Sequence, residues 1–144
     1  MVYLDTGCLV KLYYPEPDSA LVIERVAGQE IVYTPLHALE LTAALELKRF
    51  RQEATIEQVA SSLALVQEDV SSGKLVAIDA PALDSLNAAA GLARAHAAET
   101  GCRALDALHC AWATNLQIAG FLSTDVRQLA LARLVGLRIV ELRN

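Results

Sequence analysis

Four acidic residues stand in settings that ordinarily exclude charge. Asp5 follows the apolar run Val2-Tyr3-Leu4, and Asp125 closes the segment Phe121-Leu122-Ser123-Thr124-Asp125. A carboxylate at the exit of a buried strand is poorly hydrated and costly unless something positive meets it. Glu40 shares a helix face with Leu36, His37, Ala43, Ala44 and Leu47, a stripe expected to face the sheet. Asp106 shares one with Cys102, Arg103, His109, Cys110 and Ala113. Acids on such faces are normally paired or liganded. If the four converge, two of them about 4 Å apart repel by about 4 kcal/mol at an effective dielectric of about 20. A shared cation removes that repulsion, and oxygen-only ligands suit Mg²⁺ or Mn²⁺. Such an ion can activate a water and stabilise charge on a phosphoryl oxygen, which phosphodiester hydrolysis requires. Thr6, Ser123 and Thr124 place hydroxyls beside the acids, where they can hold a metal-bound water.

Each acid alone also has a purely structural reading. Asp5 and Asp125 are placed to cap helices. Glu40 can form a salt bridge to a nearby Arg or Lys, and Asp106 can pair with Arg103. The pairs His37/Glu40 and Asp106/His109 have the three-residue spacing of carboxylate-bridged metal helices, but those sites need a four-helix core and the strand runs argue against one. His37, His96 and His109 are therefore expected to be structural or surface residues, and Trp112, Tyr13 and Tyr14 to serve packing.

The acids must be positioned by alternating strands and helices. Short, continuous apolar runs occur at Val2–Leu4, Ile31–Tyr33, Leu75–Ile78, Ile118–Leu122 and Leu137–Leu142, as expected of strands buried on both faces. Helical patterns separate them, which predicts an α/β fold with a central parallel sheet of about five strands between helix layers. Thr34-Pro35 reads as an N-cap followed by Pro at the first helical position. Thr55 and Gln58 form a capping-box pattern, and that helix stops at Gly73. Glu16-Pro17-Asp18-Ser19 divides the first helical segment in two, and Pro81 opens another helix that runs towards Thr100-Gly101. Further helices start near Leu105 and Val126, the latter ending at Gly136. In such a sheet, ligands bind beyond the carboxyl ends of the strands, so Asp5 and Asp125 project to the same edge.

The 144 residues fit one domain, 1–144, with a real core; 54% are hydrophobic and 20% charged, which argues against disorder. The formal net charge of −5 does not favour nonspecific nucleic-acid binding, although Lys48, Arg49 and Arg51 cluster, as do Arg127, Arg133 and Arg138. Cys8, Cys102 and Cys110 are odd in number and follow no metal-ligand spacing; Cys102 and Cys110 fall on apolar helix faces and read as buried free thiols, which fits a reducing cytosol and a cytoplasmic protein. No membrane association is expected, because His109, Asn115, Gln117 and Gly120 interrupt the uncharged stretch 107–124.

The segment Tyr3-Leu4-Asp5-Thr6-Gly7-Cys8-Leu9-Val10-Lys11-Leu12, the early-helix Glu40 after Thr34-Pro35, Leu105-Asp106-Ala107-Leu108-His109, and Phe121-Leu122-Ser123-Thr124-Asp125 together resemble the PIN-domain ribonucleases, in particular the VapC-type toxins of prokaryotic toxin–antitoxin pairs. The resemblance spans nearly the whole chain. It implies a Rossmann-like three-layer α/β/α domain with Mg²⁺- or Mn²⁺-dependent endoribonuclease activity. The family's acids fall on Asp5, Glu40, Asp106 and Asp125. It further implies a homodimer, an antitoxin partner whose C-terminal segment reaches the acidic site, and a structured RNA substrate such as transfer RNA. On this reading Asp5 and Asp125 anchor the ion, Asp106 completes its shell and Glu40 orients or deprotonates the attacking water. The family often has Ser two residues after the first Asp, where this chain has Gly7; Thr6 or Thr124 then replaces its hydroxyl. Two other readings compete. A phosphoacceptor signalling domain of similar topology would use Asp79 with Thr124 as its switch, but it usually has paired acids after strand one and a Lys after strand five. A noncatalytic interaction module on the same fold would leave four buried acids unused.

Overall fold

The computed structural model describes residues 1–79 and 82–142; the expected helix start at Pro81 lies outside them. The chain runs β1 (Tyr3–Leu4), α1 (Thr6–Tyr13), α2 (Ser19–Val26), β2 (Ile31–Tyr33), α3 (Pro35–Phe50), α4 (Ile56–Ser71), β3 (Leu75–Ala77), α5 (Ala82–Thr100), α6 (Ala104–Asn115), β4 (Phe121–Leu122) and α7 (Val126–Leu134). The helix boundaries follow local chemistry. Thr55 and Gln58 close a capping box on α4, and Gly73 takes the left-handed φ of +79° that ends its connection to β3. At the start of α3, the Thr34 side chain accepts from the His37 N–H while His37 Nδ1 accepts from the Thr34 N–H at 3.0 Å.

All strand pairing is parallel. β1 pairs with β4, Tyr3 opposite Phe121 and Leu4 opposite Leu122, and β2 pairs with β3. A bridge between Val2 and Ile31 joins the two pairs, so the order across the sheet is β3, β2, β1, β4. Alternate residues of the inner strands enter opposite cores. Leu4, Ile31 and Leu122 pack with α1 to α4, whereas Tyr3, Val32 and Phe121 pack with α5, α6 and α7. This is the expected three-layer arrangement, with continuous apolar strands covered on both faces.

The strands are shorter than the apolar runs. The run at 137–142 contributes a single bridge, Ile139 to Phe121, rather than a fifth strand of its own length. Ile118 does not reach β4, because its N–H still closes α6 on the Ala113 carbonyl. β3 lies at the sheet edge and is buried only at Leu75, with Ala77 exposed.

β1 and β4 are neighbours, but the helices that follow them diverge. α1 packs into one core through Leu9 and Val10, and α7 into the other through Leu131 and Ala132. This divergence opens a crevice at the carboxyl edge of the sheet, the usual ligand position in such folds.

Candidate active site

A cleft of about 700 Å³ occupies this crevice, and Asp5, Glu40, Asp106 and Asp125 all line it. Asp5 and Asp125 come from the ends of β1 and β4, Glu40 from the second turn of α3 and Asp106 from the first turn of α6. Thr6, Gly7, His109, Thr124 and Gln128 share the lining. Residues from both ends of the sequence thus meet in one place.

Asp5 is buried. One of its oxygens caps α1 by accepting from the Cys8 N–H at 2.7 Å, and the other accepts from the Ser123 hydroxyl. Ser123 also accepts from the Asp125 N–H at 3.0 Å, linking the ends of β1 and β4. Capping therefore does not exclude a site role, since each carboxylate oxygen keeps a further acceptor position.

Glu40 Oε2 receives the Thr6 hydroxyl at 2.7 Å and lies 2.7 Å from His109 Nε2. The Tyr3 hydroxyl lies 2.9 Å from His109 Nδ1. Donation runs from Tyr3 to Nδ1 and from Nε2–H to Glu40, which fixes the ring and its tautomer through its partners. Burial alone would raise the Glu40 pKa, but the hydrogen bond and electrostatic attraction to His109 and the Thr6 hydrogen bond outweigh it and lower it below the ordinary 4.5. Glu40 Oε1 has no hydrogen bond among the described residues.

Asp106 Oδ2 accepts from the Arg103 N–H at 2.8 Å, and the Arg103 guanidinium Nε lies 3.5 Å away. The same guanidinium reaches Asp125 at 3.7 Å. Asp125 caps α7 through the Arg127 and Gln128 N–H groups and pairs with the Arg127 guanidinium at 3.1 Å. That Arg127 hydrogen bond is the main reason its carboxyl is held below the ordinary 3.8; partial burial opposes it and the two N–H groups add to it.

Several expectations change. The buried stripe of α3 runs through Leu36, His37, Leu41 and Leu45; Ala43 and Leu47 are exposed, so Glu40 sits at the edge of the stripe, facing the cleft. His37 is structural as expected: it is fully buried, and its Nε2 donates to the Leu4 carbonyl at 2.8 Å. His109 is not merely structural, since it lines the cleft against Glu40. Its signal was the three-residue spacing from Asp106, which places both on one helix face. Ser123 and Gln128 are buried in the site wall, 2.8 Å apart, and Gln128 was unsignalled apart from its place three residues after Asp125. Thr6 is committed to Glu40, while Thr124 is exposed at the cleft. Asp79, required by the phosphoacceptor reading, is exposed and does not line the cleft.

The PIN domain family model matches residues 2–134. The chain belongs to the PIN domain family. The PIN fold is also seen in two similar solved structures. FitAcB from Neisseria gonorrhoeae matches with a TM-score of 0.63 at 15% identity, covering 99% of this chain and 98% of that one. VapBC2 from Rickettsia felis bound to a DNA fragment from their promoter matches with a TM-score of 0.61 at 20% identity, covering 96% and 97%. No curated protein sequence matches this PIN domain.

The donor set of this PIN domain fits a hard divalent cation in chemistry: every acid at the cleft offers carboxylate oxygen. Among the described residues, however, no group of three His, Cys, Asp or Glu side chains is already arranged to hold one. The contacts explain why. Asp106 and Asp125 are turned onto arginines, and Asp5 onto Ser123 and the α1 amide. Among the described residues, no helix is long and apolar enough to cross a membrane.

Proposed function

We propose that the protein is a Mg²⁺- or Mn²⁺-dependent endoribonuclease and the toxin of a toxin–antitoxin pair. PIN domains are generally nucleases. The observation that carries the reading is the gathering of four acids from four separate elements at the sheet's carboxyl edge. Asp5, Asp106 and Asp125 would hold the cation. When bound, it supplies a Lewis acid for the phosphoryl oxygens and lowers the pKa of a water. Ionised Glu40 takes a proton from the attacking water through its unengaged Oε1, while Thr6 and His109 hold Oε2 still. The deprotonated water would attack phosphorus, the P–O bond to the departing ribose oxygen would break, and that oxygen would take a proton from solvent. Gly7 lines the cleft without supplying a hydroxyl, so Thr124 is the exposed hydroxyl beside the acids.

An antitoxin partner is supported by the two similar structures, whose names denote assemblies, one of them on promoter DNA. Buried Cys8, Cys102 and Cys110 suit a reducing cytoplasm. The substrate is RNA, with transfer RNA as the first candidate, and the assembly is a homodimer. The test is cleavage of a total RNA pool with Mg²⁺ or Mn²⁺ by wild type and Asp5→Asn. Equal activity in the two defeats the assignment. Co-expression of the gene immediately upstream should relieve toxicity, and sedimentation of the purified chain should give twice its mass.

A further inference from the structure

Arg103 stands apart from the other cleft residues. Its guanidinium contacts two candidate metal ligands at once, Asp106 at 3.5 Å and Asp125 at 3.7 Å, yet its side chain is 67% exposed. Both contacts are long, and solvent-exposed pairs of this kind hold weakly. The arginine carries the positive charge that the two carboxylates would otherwise take from a cation. Its backbone N–H, by contrast, is firmly bound to Asp106 at 2.8 Å, so the residue stays at the cleft wall wherever its side chain points.

We propose that Arg103 is an internal counter-ion that a divalent cation displaces from Asp106 and Asp125, and that the freed guanidinium then binds a phosphate of the RNA at the cleft mouth. The inference rests on the metal-dependent reading above. A guanidinium matches a phosphate by two parallel hydrogen bonds, and while Arg103 holds Asp106 and Asp125 its Nε edge is occupied and the two carboxylates repel a phosphate beside it. Displacement thus couples cation loading to substrate binding: the site presents its arginine to a phosphate only when the acids are neutralised by other means. Arg127 differs, because it is held to Asp125 at 3.1 Å on the same helix turn and belongs to the cap of α7.

The coupling makes opposed predictions for one variant. Removing the competing charge in Arg103→Ala should tighten Mn²⁺ binding about fivefold, read from the free-Mn²⁺ signal by electron paramagnetic resonance. The same variant should bind a short fluorescein-labelled single-stranded RNA about fivefold more weakly with Ca²⁺ present, and lower the slope of log affinity against log salt by about 0.7. Arg103→Lys keeps the charge and should fall between the two in both measurements. Arg94→Ala, at an exposed arginine of α5 outside the cleft, should leave both unchanged. A merely structural Arg103 would weaken both affinities together. Arg103→Ala that binds Mn²⁺ no tighter than wild type, or RNA as tightly as wild type, overturns the proposal. Wild type that binds no Mn²⁺ overturns both this proposal and the metal-dependent reading; wild type that binds Mn²⁺ beside an unaltered variant overturns this one alone.

Discussion

Asp5 and Glu40 take their hydrogen bonds from a backbone amide, two hydroxyls and an imidazole. Those groups lie in or against the two cores: Thr6, His109 and Ser123 are all buried. Asp106 and Asp125 also accept backbone N–H groups, but their side-chain partners are Arg103 and Arg127, whose side chains are 67% and 42% exposed. All four acids are anchored in the fold, but Asp5 and Glu40 meet buried neutral groups where Asp106 and Asp125 meet exposed cations. The packed half is suited to fixing the angle of a water or an ion, because its donors cannot move without disturbing the core. The charged half can exchange its partners, because solvent-exposed ion pairs are worth little.

The largest effect expected from this contrast is in the packed half. Asp5→Asn should lower RNA cleavage about 10³-fold, equivalent to about 4 kcal/mol of transition-state stabilisation. Its effect on urea stability should stay near 1 kcal/mol, since an amide oxygen still caps the Cys8 N–H. A larger stability loss with retained cleavage would make Asp5 a cap only.

His37 and His109 sharpen the comparison, with ring centroids only 5.2 Å apart. His37 ties α3 to the Leu4 carbonyl, directly before Asp5, and His37→Ala should cost about 3 kcal/mol of stability. Burial, reinforced by His109, lowers the His37 pKa from 6.5 to about 3, although its hydrogen bond to Leu4 opposes this. The native imidazole therefore stays neutral where the unfolded one protonates. Its stability contribution is complete above pH 6.5 and declines as pH falls towards 3, by up to about 1.4 kcal/mol per pH unit. Glu40 and Asp125, with lowered carboxyl pKa values, act in the same direction: their contributions are present above the ordinary carboxylate range and lost as pH falls through the native values. Urea melts from pH 7 to pH 5 should show the decline in wild type and a flatter profile in His37→Ala.

His109→Leu should leave the fold in place and reduce cleavage about tenfold, because Glu40 loses one of two groups that orient it. Unchanged turnover would show that Thr6 alone suffices. The smallest effect is expected at Gly7, where an added Cβ would lie against the Asp5 carboxylate, nearest to Oδ1 at 3.5 Å, an ordinary contact. Gly7→Ser should fit, stabilise α1 by about 0.5 kcal/mol and raise cleavage by no more than about threefold. A loss of cleavage would show that the cleft needs the open space at Gly7.

Much of this molecule was legible locally. The caps at Thr34, Thr55, Asp5 and Asp125 involve partners two or three residues away, and the apolar runs mark β1, β2 and β4 because both faces of those strands are covered. The side-chain types at the run exits singled out Asp5 and Asp125, and the apolar setting singled out Asp106. The Asp106–Arg103 contact was also readable, since its partners are three residues apart. Pairing length was less legible: the apolar run at 137–142 yields only one bridge, because a strand also needs a neighbour in register along its length.

Sequence alone determined which residues carry charge into apolar surroundings and where the capped helices begin, since those preferences depend on neighbours within a turn or two. Only the tertiary structure decided what meets what. Glu40 and His109 are 69 residues apart, and Asp5 and Ser123 are 118 apart. Their contacts exist because β1 and β4 lie side by side while α1 and α7 leave on opposite faces, and no local preference encodes that meeting.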